Sequence, residues 1–187
     1  EFDIPVSVNH YTKLRTFIKN VKGKPKAMVS KYETKEAKDF KKRFVKYIKE
    51  QIKEQGFEVK LDKHQFTHVD VTWYFPRIDM DSNNYWKVSL DCLTEAGVWV
   101  DDNTTLERTK RIYYDPKNPR MIMEIYYSDY IGIFENQAHL DEFLSKCIQC
   151  SKYKNGKCGI LTRAKQSRIQ EEIQDFVCTK YTPKANK

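Results

Sequence analysis

Strict alternation of apolar and polar side chains in residues 66–75, FTHVDVTWYF, constrains the fold of this chain more than any other feature. Every second side chain of a strand lies on the same face, so this run predicts a half-buried β-strand that ends at Pro76. The apolar face would consist of Val69, Val71, Trp73 and Phe75. The polar face would consist of His68, Asp70 and Thr72.

Amphipathic helices are predicted on either side of this strand. Residues 33–55 place apolar side chains at intervals of three or four residues, as in a helix with one buried stripe. The stripe consists of Ala37, Phe40, Phe44, Ile48 and Ile52. The lysines on the other faces are either solvated or in contact with phosphate. A second helix should run from Asn83 or Asn84 to Ala96 and stop at Gly97.

The other segments of the first 130 residues are shorter. Residues 2–11 are predicted as a short strand that leads into a turn, and residues 12–31 as a long basic loop or a hairpin. Two further strands, 107–115 and 121–127, are separated by PKNP, and its Pro and Asn residues favour a hairpin. The resulting order, β–loop–α–β–α–β–β, is typical of a small α/β or α+β domain.

Composition limits the classes of protein to which the chain can belong. A hydrophobic share of 40% argues against global disorder, and no apolar run approaches the ~20 residues of a membrane span. No signal peptide is visible, so we expect a cytoplasmic protein. The formal net charge of +8 either serves solubility or indicates a polyanionic partner, above all nucleic acid.

The charges are distributed unevenly. Basic residues are concentrated in residues 13–53 and 146–187, whereas residues 79–102 are acidic. A basic protein with an acidic centre suits a nuclease, in which Lys and Arg bind phosphates and carboxylates bind a metal ion.

Two pairs of aspartates form the acidic centre. Asp79 and Asp81 follow the predicted strand, and Asp101 and Asp102 follow the next helix and a short apolar run. A strand–helix–strand unit can bring both pairs to one edge of a sheet, where the carboxylates cannot all ionise cheaply without a cation. Mg²⁺ prefers such oxygens, and it would activate water and offset charge in phosphodiester hydrolysis. Lys87 could stabilise charge on the scissile phosphate.

These residues also have ordinary structural alternatives. Aspartates are common in turns at strand ends. Lys87 and Asp91 are four residues apart on the predicted helix, so they could simply form a surface ion pair.

Further residues extend the pattern in a fixed order. The segments are PVSVNHY at 5–11, RIDMDSNN at 77–84, Lys87, DCL at 91–93, Gly97 and Asp101-Asp102. This ordered set resembles the RusA family of Holliday-junction resolvases, whose pattern is roughly P-x-S-x-N-x-Y, then R-x-D-x-D-N, Lys, D-x-L, Gly and Asp-Asp. The likeness covers about residues 2–127. This chain departs from the pattern by two extra residues between Asp81 and Lys87.

The resemblance implies a mixed β-sheet with helices packed on it, a homodimer, and Mg²⁺ or Mn²⁺ as cofactor. The implied activity is paired symmetric cleavage of a four-way DNA junction, in a bacterial or phage-infected cell. A two-fold dimer would present two identical sites to such a junction. The implied catalytic residues are Asp79, Asp81, Lys87 and Asp102, with Asp101 either as a further metal ligand or as a neighbour that tunes the site.

Contacts with DNA are expected mainly in the N-terminal region. The predicted contact residues are Asn9, His10, Tyr11, Lys13, Arg15, Lys22, Lys24, Lys26 and Arg77. Asn9 and His10 could instead form a turn. Some aromatic side chains could wedge against unstacked bases at the branch, or they could belong to the core. These are Tyr11, Phe17, Tyr74 and Phe75.

Four of the five cysteines lie in a spaced set, Cys147-x₂-Cys150-x₇-Cys158-x₁₉-Cys178. Without a secretory signal, disulfides are not expected. Four thiolates suit tetrahedral Zn²⁺, which would order a short segment; an iron–sulfur cluster and free thiols are the alternatives. The fifth, Cys92, is predicted to be a small buried hydrophobe.

The expected organisation is a nuclease domain, residues 1–130, and a helical zinc-binding extension, residues 131–187. Two helices, about 135–146 and 162–177, would flank the cysteine loop. The enzyme hypothesis is a metal-dependent endonuclease. The alternatives are a non-catalytic protein that binds branched DNA and a nuclease for other branched DNA. Carboxylates repel phosphate unless a metal is present, which favours the enzyme.

Overall fold

The computed structural model describes residues 1–184, which form two compact units. The N-terminal unit comprises Glu1–Leu61, Val69–Asn103 and Glu107–Glu124. The C-terminal unit comprises Asp62–His68, Thr104–Leu106 and the chain from Ile125 onward. The last three residues of the expected extension lie outside the described residues, and the division at residue 130 stays a prediction. No helix in residues 1–184 combines the length and the apolar character that crossing a membrane requires.

Helices and strands are both present, in one mixed order along the chain. The helices are α1 (Val8–Tyr11), α2 (Lys35–Glu54), α3 (Asn83–Ala96), α4 (Gln137–Ile148) and α5 (Gly159–Ala164). The strands are β1 (Thr12–Val21), β2 (Lys24–Glu33), β3 (Thr67–Phe75), β4 (Thr105–Tyr114), β5 (Arg120–Tyr127), β6 (Ile173–Gln174) and β7 (Val177–Cys178). A short 3₁₀ turn, Asp102–Thr104, precedes β4. The expected mixed α and β architecture is confirmed.

Helix α2 forms where the apolar stripe predicts it. Its first turn is capped by Thr34, whose side-chain oxygen accepts the Ala37 N–H at 3.2 Å. The buried residues of the stripe are Ala37, Phe40, Phe44, Val45 and Ile48. Phe2 stacks on Phe44 with ring centroids 4.8 Å apart, so this stripe also anchors the N-terminal segment. The predicted strand over residues 2–11 is wrong, because only Phe2 forms a bridge, with Met121.

Strand β3 is the centre of a three-stranded sheet in the order β4-β3-β5. The predicted apolar face is confirmed, since Val69, Val71, Trp73 and Phe75 are all fully buried. The strands β4 and β5 also form where predicted, but they flank β3 instead of pairing with each other. The predicted hairpin between β4 and β5 is therefore wrong, because each of these strands forms its backbone hydrogen bonds with β3 and not with the other.

The polar face of β3 is less exposed than the alternation predicts. Asp70 is only 3% exposed. Its carboxylate pairs with Arg108 of β4, whose Nε lies 3.0 Å from Oδ1. A buried carboxylate needs such a partner, because burial of an uncompensated charge costs on the order of several kcal/mol. The neighbouring strand, which alternation cannot reveal, thus decides the environment of Asp70.

Residues early in β3 contact residues early in β4, and the ends of the two strands also meet. Asp70 meets Arg108, and further along β3 the backbone carbonyl of Phe75 accepts the N–H of Asp115 at 2.7 Å. Ascending pairs of this kind belong to parallel strands, and the connection through α3 is the crossover that a parallel pair requires. Helix α3 ends at Gly97, where a φ of 83° permits the left-handed cap.

Strands β1 and β2 form a ten-pair antiparallel hairpin, from Thr12↔Glu33 to Val21↔Lys24. Its two-residue turn consists of Lys22 (φ 52°) and Gly23 (φ 76°). Positive φ at both central positions matches the twist of the strands in a tight hairpin, and glycine adopts it without strain. Of the two structures left open for this basic segment, the hairpin is the one that forms.

The C-terminal unit has a small core of its own. The buried side chains are Phe134, Leu140, Phe143, Leu161 and Ala164. The first predicted helix is present as α4, but the second is wrong. Helix α5 ends at Ala164, and β6 and β7 follow, joined by Asp175 (φ 46°) and Phe176 (φ 56°) in a tight turn. Folding back as a hairpin lets Ile173 and Cys178 pack on the core.

Candidate active site and nucleic-acid interface

Asp79 and Asp81 lie in the loop between β3 and α3. Asp79 is exposed and pairs with Arg77, whose Nε lies 3.1 Å from Oδ1. The carboxylate of Asp81 accepts the N–H of Asn83 at 2.9 Å. Asp81 therefore orders the start of α3, where the helix dipole favours a negative charge. Both carboxylates remain on the surface, next to an arginine that can also bind phosphate.

Lys87 lies one turn into α3 and pairs with Asp91, with 3.1 Å between Nζ and Oδ1. The alternative of an i,i+4 ion pair is thus confirmed for the described structure. Asp91 also accepts a hydrogen bond from the hydroxyl of Tyr11 at 3.0 Å. Two segments of the pattern, PVSVNHY and DCL, are 80 positions apart in sequence and meet at this contact.

Tyr11 is also the centre of a network that sequence reasoning missed. Its hydroxyl lies 2.8 Å from Glu33 at the end of β2. Lys41 of α2 lies 3.1 Å from Glu33 and 3.4 Å from Glu95 of α3. Its acidic residues are Glu33 of β2 and both Asp91 and Glu95 of α3. Tyr11 and Asp91 belong to the sequence pattern, whereas the only signal for the other members is that Lys41 lies on the edge of the α2 stripe.

The network shifts the titration of its members. Burial, and then the hydrogen bonds to Glu33 and Asp91, raises the pKa of Tyr11, so its hydroxyl stays protonated. The hydrogen bond from Tyr11 is the largest of the effects that hold the pKa of Glu33 below its ordinary value. Burial is the largest single effect on Lys41 and opposes its charge, but the hydrogen bonds and charges of Glu33 and Tyr11 together outweigh burial and raise the pKa of Lys41. A neutral donor, Tyr11, and a cation, Lys41, therefore hold the carboxylate of Glu33 in the ionised form.

Asp101 and Asp102 lie just before β4. The carboxylate of Asp101 accepts the N–H of Asn103 at 3.3 Å, and Asp102 begins the 3₁₀ turn. They precede a strand that runs parallel to β3, whereas Asp79 and Asp81 follow β3, so the two pairs belong to opposite strand ends. In residues 1–184, no group of three or more His, Cys, Asp or Glu side chains could hold a metal ion. The convergence of all four aspartates therefore stays a prediction.

The side chains of the hairpin divide between two faces, because directly paired and alternate residues share a face. The charged side chains lie mostly on one of these faces. The basic face carries five cations, Lys13, Arg15, Lys19, Lys24 and Lys26, with the aromatic side chains of Phe17 and Tyr32 between them. Lys22 lies in the turn. Four of the predicted DNA contacts thus share one face of one hairpin, all of them exposed. Lys19 was not among the predicted contacts, although the register places it in the middle of the same row.

The opposite face is nearly uncharged, and we call it the apolar face. Its middle consists of Leu14, Thr16, Ile18, Ala27 and Val29, and its charged residues, Lys31 and Glu33, lie at the end away from the turn. Leu14 is 73% exposed, Ile18 is 75% exposed and Val29 is 62% exposed. No residue of the hairpin is buried within residues 1–184. A two-stranded ribbon of this kind is marginally stable alone in water. Contiguous exposed apolar side chains are typical of an interaction surface.

The other predicted contacts divide into accessible and covered residues. Asn9 and His10 lie exposed in α1, and Arg77 is exposed beside Asp79. Phe75 is fully buried and belongs to the core, so it cannot wedge between bases. Tyr74 stacks on Tyr113, and the guanidinium of Arg120 lies 3.6 Å from its ring centre. Phe17, at 37% exposure, is the accessible aromatic of this set on the basic face.

Tyr11→Phe tests the network by removing a single hydroxyl. The pKa of Glu33 should rise toward the ordinary value, and stability should fall by about 1 kcal/mol. A lowered carboxyl pKa stabilises the fold above the unfolded value of about 4.3, and this stabilisation is lost as pH falls through the folded value. The difference between the two proteins should therefore be largest near neutral pH and shrink in acid. An NMR titration of Glu33 and urea unfolding measure both effects; an unchanged Glu33 pKa would exclude the coupling.

Comparison with known proteins accounts for the N-terminal pattern. No curated protein matches the chain significantly. A family model described as Endodeoxyribonuclease RusA matches residues 9–126, well over half of the chain. The match includes Tyr11, both pairs of aspartates and Lys87, and it stops before the cysteine-bearing segment. Members of this family are DNA endonucleases of the Holliday-junction-resolving class. The chain therefore belongs to the RusA endodeoxyribonuclease family.

Proposed function

We propose that this protein is a divalent-metal-dependent endodeoxyribonuclease that resolves Holliday junctions by paired symmetric hydrolysis of two phosphodiester bonds. The family match over residues 9–126 carries this proposal. We also propose a role in recombination, which the family membership supports, inside a bacterial or phage-infected cell. The cysteines of the C-terminal unit have no part in the proposed chemistry.

The donor groups at the start of α3 fit a hard cation. Mg²⁺ is commonly held by one or two carboxylates, with waters and substrate phosphates as its other ligands. Asp79 and Asp81 supply two exposed carboxylates, and Arg77 lies beside them. Mg²⁺ or Mn²⁺ bound there would lower the pKa of a water and offset charge on the phosphate. We also propose Asp101 and Asp102 as metal ligands, on the strength of the family pattern and not of any closeness of the two pairs in one chain.

Two cations next to the acidic loop would act on the phosphate. Arg77 would exchange Asp79 for a phosphate oxygen and so position the DNA backbone. Lys87 would rotate from Asp91 toward the scissile phosphate and stabilise the negative charge that develops there. Asp91 keeps its hydrogen bond to Tyr11, so the loss of Lys87 would not leave that carboxylate without a donor.

The basic face of the hairpin is the proposed DNA surface. Its row of lysines and Arg15 can follow a phosphate backbone, and Phe17 can stack on an unpaired base. Each phosphate neutralised releases a counterion, so affinity should fall steeply with salt. Asn9 and His10 lie next to β1 and would extend the same contact.

A second copy of this chain is the proposed partner of the apolar face. Exposed Leu14, Ile18 and Val29 would lose water on dimerisation, at about 25 cal/mol per Å² of apolar surface. In a two-fold dimer the same patch meets itself, which suits a face that carries almost no charge. The dimer would leave both basic faces open to DNA.

Ile18→Glu tests this division of the hairpin. A charge at the centre of the apolar face should weaken dimerisation by at least about tenfold, measured by analytical ultracentrifugation. The matched control is Lys19→Glu, one residue away on the basic face. It should leave the dimer intact and weaken junction binding, with a smaller salt dependence. A monomeric wild-type protein, or an Ile18→Glu protein that stays dimeric, would rule out the apolar face as the dimer interface.

Cleavage of a synthetic four-way junction tests the proposed function directly. With Mg²⁺ or Mn²⁺, paired symmetric nicks are expected on the junction, with none on a linear duplex and none in the presence of EDTA. The alternative is a non-catalytic protein that binds branched DNA. Tight junction binding without cleavage in either metal would establish that alternative. Cleavage of flaps in preference to junctions would assign another branched substrate.

A further inference from the structure

Four cysteines from separate segments of the C-terminal unit line one cavity of about 450 Å³. Cys147 lies in the last turn of α4 and Cys150 in the turn that follows it. Cys158 directly precedes α5, and Cys178 lies in β7. All four are free thiols. The hairpin that replaces the predicted second helix is what returns Cys178 to the other three.

Interactions at Cys147 also place the four thiols close together. The charges of Cys158, Cys178 and Cys150 all act on Cys147, so these groups lie within Coulombic range of it. A divalent cation among them would offset the repulsion between thiolates.

Backbone N–H groups are directed at one of these sulfur atoms. Thr182 donates its N–H to the Sγ of Cys150 at 3.4 Å. Backbone N–H groups of Lys152 and Tyr153 also interact with the side chain of Cys150. The Ser151 N–H donates to the Thr182 carbonyl at 2.7 Å and holds the donating segment in place. Donors of this kind stabilise the thiolate, which is the form that binds metal.

Cations surround the same cavity. Lys146, Lys152 and Lys180 are among its lining residues. One divalent ion with four thiolates carries about two net negative charges, and nearby ammonium groups reduce the cost of that charge. The lining therefore suits a metal–thiolate centre better than a site for a small cationic ligand.

The C-terminal unit also needs stabilisation beyond its apolar core. Five buried side chains form that core, and β6 and β7 have two residues each. A core of this size rarely holds a fold without a disulfide or a metal ion. Cys147, Cys158 and Cys178 already pack against it, so a metal bond would join the core to the cavity.

We propose that Cys147, Cys150, Cys158 and Cys178 bind one Zn²⁺ ion and that this ion stabilises the C-terminal unit. In residues 1–184 no three of these thiols yet surround one ion position, so binding requires side-chain rotation into the cavity. The zinc–sulfur distances should then be about 2.3 Å. The four ligands lie outside residues 9–126 and therefore outside the family match.

Metal analysis of the full chain tests the proposal. Protein produced with zinc in the medium, and purified without a metal-affinity step, should contain one Zn²⁺ per chain by elemental analysis and native mass spectrometry. Replacement of zinc with Co²⁺ should give the visible bands of a tetrahedral thiolate site. Zinc well below one per chain, with four thiols that react freely in the native protein, would overturn the proposal. Iron and sulfide in place of zinc would overturn it as well.

Variants separate metal binding from folding. Cys178→Ser should lose the stoichiometric zinc, and Cys178→His should retain it, because imidazole is also a zinc ligand. Cys92→Ala is the matched control, since Cys92 is buried in α3, away from the cavity. The wild-type stoichiometry decides the question even if Cys178→Ser does not fold. Asp81→Asn should keep its zinc, so failure of the nuclease proposal would leave this result unchanged.

Discussion

Asp81→Asn should abolish junction cleavage while junction binding is retained. The amide removes the negative charge that would hold the metal ion, and metal-assisted hydrolysis depends on several kcal/mol of charge stabilisation. We expect a loss of at least about a thousandfold in cleavage rate, since each 1.4 kcal/mol is about tenfold. Single-turnover cleavage of a labelled four-way junction measures it. Affinity for the junction without metal should stay equal or rise, because one repulsive charge is removed.

The fold should tolerate this change. The side-chain oxygen of asparagine can still accept the N–H of Asn83, so the start of α3 keeps its hydrogen bond. The matched control is Asp39→Asn, an exposed carboxylate on α2, which should cleave at the wild-type rate. Cleavage by Asp81→Asn within tenfold of wild type would exclude Asp81 as a metal ligand.

Trp73→Ala should be the most destabilising single change in the N-terminal unit. Trp73 is fully buried at the centre of β3, and its ring contacts Phe75, Tyr85 and Trp86 at 5.6–6.0 Å between centroids. Its indole N–H donates to the hydroxyl of Thr109 at 3.3 Å. Loss of these contacts and the cavity that remains should lower the free energy of unfolding by about 3–5 kcal/mol. Urea unfolding followed by far-UV circular dichroism measures it.

Two variants calibrate this result. Trp73→Phe keeps most of the buried ring and removes the indole donor, so it should cost clearly less than alanine. Ile78→Ala removes a side chain that is 78% exposed, so its effect should stay within about 0.5 kcal/mol. A cost below about 1 kcal/mol for Trp73→Ala would mean that the aromatic cluster around β3 does not hold the unit together.

Sequence order alone identified the family. The residues from PVSVNHY to Asp101-Asp102 occur in the order of the family pattern. The family match over residues 9–126 contains nearly all of them. The roles of Asp79, Asp81, Asp102 and Lys87 could be expected from the acidic centre itself, and the resemblance strengthened that expectation. The geometry of these residues could not be predicted. Their spacing along the chain does not fix the distance between the loop that follows β3 and the turn that precedes β4.

Local periodicity determined the regular elements. The bounds of α2, β3, α3, β4 and β5 lie within two residues of the predicted ones, since the side-chain repeat of each element is a property of neighbouring residues. The prediction of a helix over 162–177 failed because its apolar residues also fit a hairpin. Packing of Ile173 and Cys178 on the core of the C-terminal unit decided between them.

Only the tertiary structure decided which distant residues meet. Pairing of β3 with β4 and β5 on its two sides buries Asp70 against Arg108, and the Tyr11 network joins three further elements. The hairpin register separates a basic face from an apolar one within a segment that reads as uniformly basic. These outcomes depend on hydrogen bonds and contacts between residues far apart in the chain. The sequence by itself determined the local repeats and the family pattern, because both are properties of residue order, whereas long-range pairing is a property of the folded chain.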